Sequence, residues 1–451
     1  MNWPMNKFKQ LWSNLRSSFW FMPSLIVMGS IGFAVLLIGA DSIVSDRWLA
    51  QWPRLFGAGA QGARDMMSTI AGSMMTVVGV TFSMILVVLA LASSQYTSRI
   101  LRNFTRSSIT QIVLGIFAGI FTYCLIVLRT IRDGDGAFVP NLAVFFGFVM
   151  ALGGVGALMF FIHHIASSIQ ASSIIASVAQ ETIAAIDRLF PEILGQEPDK
   201  DDDDQTLRSL TEQNWRGVPS RESGYIQTVN NAGLLRLAKD KKTIVRMERA
   251  IGDFVVQNTT LVSLSLEEEP DQETITALQE AFNISRYRTE EQDAAFGIRQ
   301  IVDVALKALS PGINDTTTAV MCVDYLSMIL ARLAPRQTPS SHRYEEGELR
   351  VIAKGADFES LLAESFDQIR SNAKGDLAIM LRMLGALQTV ADLTARPERR
   401  RALRDQVQWI AELAERTLES AHDRARIHTR LASVRETLET ELALRPSEKR
   451  Q

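Results

Sequence analysis

The residues with most to say about chemistry lie on one apolar run. Between Met66 and Ala92 no side chain is charged, yet Thr69, Ser73, Thr76, Gly79, Ser83, Ala90 and Ser94 recur at spacings near three, four and seven. At about 100° per residue, that spacing gathers small and hydroxylated residues on one side of a helix. Leu86 and Val87 interrupt the stripe, and Met75, Val78, Phe82, Ile85 and Leu89 take the other side, which suits lipid. Two uses fit the stripe. Small residues let helices approach closely, and hydroxyls bond across a helix pair or back to their own backbone. Alternatively, several copies set around an axis line a path for water or solute, with Thr69, Ser73, Thr76, Gly79, Ser83 and Ser94 facing it.

A second group lies far downstream, in Asp293–Ala319. A helix carrying Phe296, Ile298, Ile301, Val302, Val304, Ala305 and Leu306 ends at Ser310-Pro311-Gly312, and another starts at Asn314 or Asp315. Proline and glycine stop the first helix. Asn or Asp caps the second by accepting bonds from its free amides. The same geometry offers amides and hydroxyls to an anion, which makes Ser310, Gly312, Asn314, Asp315 and Thr316 candidate ligand contacts. A plain helix–turn–helix corner explains the same residues. Arg299 and Asp303 sit four apart and pair on one helix face.

Other polar clusters are weaker signals. His163-His164 could sense pH or bind a metal, but adjacent helical residues diverge by about 100° and share a ligand poorly. Arg99, Arg102 and Arg106 follow the apolar run with no acid among them, and suit anionic lipid headgroups or orientation of the chain. Arg396, Arg399, Arg400 and Arg401 read as a solvated helix start. There is no GxSxG, no P-loop and no GxGxxG after a strand. The two cysteines, Cys124 and Cys322, form no CxxC pair or zinc spacing, and the five histidines form no HExxH. No enzyme, cofactor or metal is expected. A net charge of −3 gives no reason to expect nucleic acid.

The elements that must hold these groups fall into two kinds. The expected fold class is a membrane α-helical bundle of four transmembrane helices with a cytoplasmic α+β region, a small β module followed by a helical bundle. Spans of about 20 apolar residues cross a bilayer, and they fall at about 19–40, 66–94, 109–130 and 140–162 within a transmembrane domain 1–190. The first is too long for a signal peptide. Trp48 and Trp52 suit interface anchors. Lys7, Lys9 and Arg16, like the arginines of 99–106, stand without acids, whereas the other two loops mix signs. The positive-inside rule therefore puts both termini in the cytoplasm. The fourth helix continues as an amphipathic pattern through Ile186.

An acidic linker, 191–216, carries Asp199-Lys200-Asp201-Asp202-Asp203-Asp204. A β module, 217–268, has strands at 224–229, 243–247, 254–256 and 261–264. Its "Gly-Asp-Phe-Val" order resembles half of a lipoyl-like barrel-sandwich, without a lysine at a matching hairpin tip. The helical domain 269–451 has helices at 271–284, 290–309, 315–333, 356–373, 375–394 and 398–442, the last broken near 421, with a brief strand at 349–352.

The blocks "AFGIRQIVDVALKALSPGINDTTTAV" and "GSMMTVVGVTFSMILVVLALASSQYTSRILRNF", together with the four-span layout, resemble family 2254 of the domains of unknown function, a group of bacterial predicted membrane proteins. The resemblance implies a bacterial integral membrane protein. It implies no activity, no catalytic residue and no cofactor. The residues themselves point to a homo-oligomeric channel for ions or small solutes, gated by its cytoplasmic part. A non-conducting membrane-anchored sensor or scaffold that binds a soluble partner or small anion stays open beside it. In both readings the bilayer is a partner.

Overall fold

The structure, a computed structural model, describes residues 20–41, 59–95, 108–133, 138–168, 170–190, 213–289 and 292–440. Its contacts divide the chain into two compact units, Met1–Ser173 and Ile174–Gln451.

The described residues of the first unit form four helices: α1 (Phe21–Asp41), α2 (Ala60–Gln95), α3 (Ser108–Thr130) and α4 (Asn141–Ser168). Lipid tails offer no hydrophobic drive for helices to associate, so close fit must do it. Helix α3 is at the centre, with Phe117, Tyr123, Cys124 and Val127 fully buried. It carries Gly115 and Gly119 four apart on the side facing α1. A β-carbon on Gly119 would stand 2.5 Å from the Ser30 hydroxyl, and one on Gly115 2.7 Å from Ile26. Gly147 and Gly154 of α4 make room in the same way for Met67 and Ile120. The buried Tyr123 hydroxyl donates to the Ala143 carbonyl at 2.7 Å.

Helix ends leave amides and carbonyls without partners, and charged residues of this unit meet them. The Asp41 carboxylate accepts from the Leu142 and Ala143 amides at 3.0 and 3.1 Å, capping α4 from the end of α1. Arg64 donates to the Ile131 carbonyl just past α3.

The side of α2 that enters the core differs from expectation. Ala63, Met67, Ala71, Met74, Ile85 and Val88 are buried there, with Val78 and Leu89 packed against them. Ile85, Val78 and Leu89 therefore do not face lipid, whereas Met75 and Phe82 are exposed. The methionines fill the gaps left by the glycines opposite, a shape match that hydropathy does not report. A second difference lies at the end of α4. The amphipathic continuation is a separate helix, α5 (Ala171–Leu189), after a bend at Gln170.

The second unit contains two sheets and a helical bundle. Its strands are β1 (Trp215–Pro219), β2 (Gly224–Val229), β3 (Val245–Met247), β4 (Phe254–Val255), β5 (Thr260–Ser265), β6 (Phe282–Ser285), β7 (His342–Glu345) and β8 (Glu348–Ile352). The larger sheet has the order β1-β5-β3-β8-β7, with β3 and β8 parallel; the smaller is β4-β2-β6. Helix α6 (Asn231–Asp240) follows β2, capped by Asn230. Val218, Ile226, Leu234, Val245, Val262, Leu264 and Val351 form the shared core.

Several local expectations change here. Trp215 and Arg216 begin a strand inside the stretch read as linker. The helix expected over 271–284 stops at Glu280, as α7 (Gln272–Glu280), because Phe282–Ser285 pairs with β2. The strands do not form a self-contained barrel-sandwich, since β3 takes β8, about a hundred residues on, as its neighbour.

The bundle comprises α8 (Ala294–Ala308), α9 (Thr316–Leu333), α10 (Phe358–Asn372), α11 (Leu377–Ala391), α12 (Pro397–Thr417) and α13 (Ala421–Glu439). Asp293, Asp315, Asp357, Asp376 and Ser420 cap α8, α9, α10, α11 and α13 through their side chains. Helix α5 joins this bundle. Gly297 of α8 meets Thr182 of α5 so closely that a β-carbon there would collide with the threonine. Asp187 pairs with Arg332 and Arg336, each at 2.8 Å.

Among the described residues five helices are long and apolar enough to cross a membrane: α1 to α4, with mean hydropathy of 2.2 to 2.5, and α9, with 1.2. Helix α9 differs from the others in carrying Asp324, ion-paired to Arg382 of α11.

Candidate functional site

The hydroxyl stripe of α2 lies on the side away from its own unit. Thr69, Ser73, Thr76, Gly79 and Ser83 are all exposed in the isolated chain, roughly half a turn from Met67 and Met74. A β-carbon on Gly72 or Gly79 would meet nothing within 4 Å. Thr69 and Thr76 donate their hydroxyl protons to the carbonyls of Asp65 and Gly72, at 2.7 and 3.0 Å. A hydroxyl bonded back to its own helix keeps acceptor lone pairs facing outward. Thr69 and Thr76 can therefore accept hydrogen bonds from water or a second helix without leaving a donor unpaired. The side chain of Ser94, and all of Arg99, Arg102 and Arg106, lie outside the described residues.

One polar group on the packed side escaped sequence reasoning. Thr81 is buried and its hydroxyl has no hydrogen-bond partner. It sits seven residues from Met74, which places it on the core face by spacing alone.

The corner after α8 forms as the residues require. The Ser310 hydroxyl donates to the Lys307 carbonyl at 2.6 Å, and the Asn314 amide to the Ser310 carbonyl at 2.9 Å. Asn314 adopts φ of 50°, a left-handed conformation that asparagine tolerates better than most residues. Asp315 accepts from the Thr318 amide at 3.0 Å and from its hydroxyl at 2.6 Å. These bonds hold its carboxyl below the usual carboxylate range. Thr316 donates to Asp376 at 2.9 Å, and Asp376 also accepts from the Ala378 and Ile379 amides at the start of α11. Two helix N-termini thus meet here, each already facing a carboxylate. Gly312 and Asn314 are exposed. An open cleft of about 470 Å³ adjoins Asp376, lined by Lys374, Gly375, Leu377, Leu381 and Arg426. Arg299 pairs with Asp303 at 3.3 Å, as spacing predicts, and also with Glu364 of α10 at 3.0 Å.

His163 and His164 do not converge on a ligand. The His164 ring stacks on Phe160 at 6.1 Å, and His163 is exposed.

The arginine run at α12 is where structure corrects sequence most. Arg399 and Arg400 are not solvated; they are 4% and 8% exposed. Arg399 donates to the Ala334 carbonyl at 2.7 Å and to Leu333 at 3.3 Å, closing the end of α9. Arg400 donates to Thr394 after α11 and to Thr437 and Thr440 at the end of α13. Arg336, also buried, donates to the Phe190 carbonyl after α5 at 2.6 Å. Cations at carbonyl ends complement both the unpaired acceptors and the helix dipole. Burial pushes the Arg399 guanidinium down to about 10, and the nearby Arg396 adds to the shift, so it stays charged at neutral pH.

Residues 16–389 match the family described as predicted membrane protein (DUF2254). The chain is 30% identical over 453 residues to the uncharacterized protein Mb1321c of Mycobacterium bovis and to the uncharacterized protein Rv1290c of Mycobacterium tuberculosis, covering 98% of this chain and 85% of each relative. No solved structure matches. On the extent of the first match and the near full-length alignment to these relatives, the chain belongs to the DUF2254 family of predicted membrane proteins.

Proposed function

We propose that this protein is a homo-oligomeric channel for ions or small solutes in a bacterial inner membrane. Helices α1 to α4 cross the bilayer, both termini are cytoplasmic, and the second unit lies in the cytoplasm and gates the path. Helix α9 stays in the aqueous unit: its Asp324–Arg382 and Arg332–Asp187 pairs favour that side over lipid. The protein is not an enzyme. The observation that carries the reading is the orientation of α2. Its methionine and alanine side is spent inside its own unit, while Thr69, Ser73, Thr76, Gly79 and Ser83 are left uncovered. Hydroxyls facing lipid gain nothing, whereas around an axis they replace part of a solute's hydration. Among the described residues, α2 carries no charge between Met66 and Leu91, which suits passive flow better than proton coupling.

The test is reconstitution of the full chain in liposomes with flux and single-channel recording across pH, voltage and tension. Flux that disappears when Ser73, Thr76 and Ser83 are replaced by leucine supports the reading. Silence of the unaltered protein under every condition overturns it.

A membrane-anchored sensor or scaffold is the second reading, and the cleft beside Asp376 favours it. There Ser310, Gly312, Asn314, Asp315 and Thr316 shape the corner, and Lys374 and Arg426 supply positive charge for a small anion. Thermal stabilisation of the full chain by inorganic phosphate, lost in Asp315→Ala, would support it over the channel.

A further inference from the structure

The small sheet β4-β2-β6 has one face in the core and one face partly exposed. Ile226, Val229 and Val255 point inward. On the other face Tyr225 and Phe254 are cross-strand neighbours, with ring centroids 5.1 Å apart in an edge-to-face arrangement. Val256 follows just past the end of β4. Gln227, also on that face, donates to the Tyr287 carbonyl at 2.6 Å and holds the segment after β6 beside it. Phe254, Val256 and Tyr287 are 53%, 52% and 55% exposed. Arg221, three residues before β2, and Arg286, directly after edge strand β6, are both exposed.

We propose that this aromatic face rests on the surface of the lipid bilayer, with its rings at the level of the headgroups. The chemistry fits that depth. Tyrosine and phenylalanine bring an apolar body, tyrosine adds a polar tip, and such residues collect at membrane interfaces. Arginine pairs with lipid phosphates.

Chain continuity makes the bilayer the occupant in reach. Residues 169 and 170 alone separate α4, an apolar helix of 28 residues, from α5, whose Ile174, Ile175 and Val178 are buried in the second unit. A unit tied covalently to a membrane helix needs little affinity to stay engaged with the bilayer. A free protein partner would need more, because stable protein interfaces cover about 800 Å² on each side. Four side chains fall well short of that. The proposal rests on α4 lying in the membrane and is independent of conduction.

The test uses the full chain in nanodiscs of phosphatidylcholine and phosphatidylglycerol. Cys124 and Cys322 are buried, so a nitroxide reagent is directed to an introduced thiol. Phe254→Cys and Tyr287→Cys are labelled separately, so loss of fold in one variant leaves the other informative. Glu346→Cys, at the exposed tip between β7 and β8, is the aqueous reference. Collision rates with oxygen and with a water-soluble nickel chelate are compared. The expected result is an oxygen-to-nickel ratio severalfold higher at 254 and 287 than at 346. Equal ratios put the face in water and overturn the proposal. Spin–spin broadening between labels at 254 puts a second copy there and overturns it too. A protected label in a protein that conducts nothing sinks the channel and leaves this contact standing.

Discussion

Arg399 shows how much one side chain can hold in place. Its guanidinium closes the end of α9 through Leu333 and Ala334 and lies over the Phe358 ring at 5.0 Å. Arg399→Met keeps the volume of the stem but leaves those carbonyls buried and unpaired. The cost is about 2–3 kcal/mol, the scale for orphaned buried polar groups, and it is read as a lower midpoint in chemical denaturation of the second unit. Gly297 makes the opposite demand. Gly297→Ala forces α8 away from Thr182 and costs about 1–3 kcal/mol, the range for overfilled cores. Thr182→Ala in the same chain should recover part of that loss, and recovery in a double-mutant cycle is the measurement that checks it.

Asp187 makes a pH prediction at the same scale. The Arg332 hydrogen bond, against some desolvation and with help from the Arg336 and Arg332 charges, holds its carboxyl below the ordinary carboxylate value. A depressed folded value means the stabilisation is present above the unfolded value and is lost as pH falls through the folded one. Protection of α5 amides, corrected for intrinsic exchange, should therefore fall below the normal carboxylate range. Asp187→Asn should flatten that dependence. The effect is modest because the pair is partly exposed.

At the level of elements, α2 has two faces with separable roles. The leucine triple at Ser73, Thr76 and Ser83 touches no packed position, so its detergent melting should match the unaltered chain even where flux is lost. Gly119→Leu should do the reverse. It drives a side chain into Ser30 and separates α1 from α3, lowering the melting point of the first unit.

The helices α8 to α13 were legible from apolar periodicity and from Asp caps, as at Asp293 and Asp376. Five of the strands, β2, β3, β4, β5 and β8, were legible from the sequence pattern. The packed side of α2 was not, because methionine and alanine weigh less in hydropathy than the leucines and valines beside them. Helix α6 was missed because it is short and sits between strand patterns, although Leu234, Leu237 and Ala238 recur at helical spacing, and β6 because four residues after a helical pattern read as its continuation. The corner at Ser310–Thr316 was legible in conformation, from Pro311, Gly312 and Asp315. That Thr316 would meet Asp376 was not, since the partner lies sixty residues away and no local signal carries it.

For the whole molecule, the division of the chain follows the sequence coarsely: apolar helices first, then sheets with helices. What pattern could not foresee is how far the second unit reaches along the chain to complete itself. Strand β3 waits for β8, and α9 waits for Arg399. The family match ends at residue 389, within α11, before Arg399 and Arg400. Those arginines satisfy carbonyls at the ends of α9 and α11. A truncation after Thr389 would follow the border of the family match while stripping two earlier helices of their only charged stoppers among the described contacts. Such a fragment should express as an aggregating, protease-sensitive product. The relatives, aligned over 98% of the chain, carry on past that border, as the fold does.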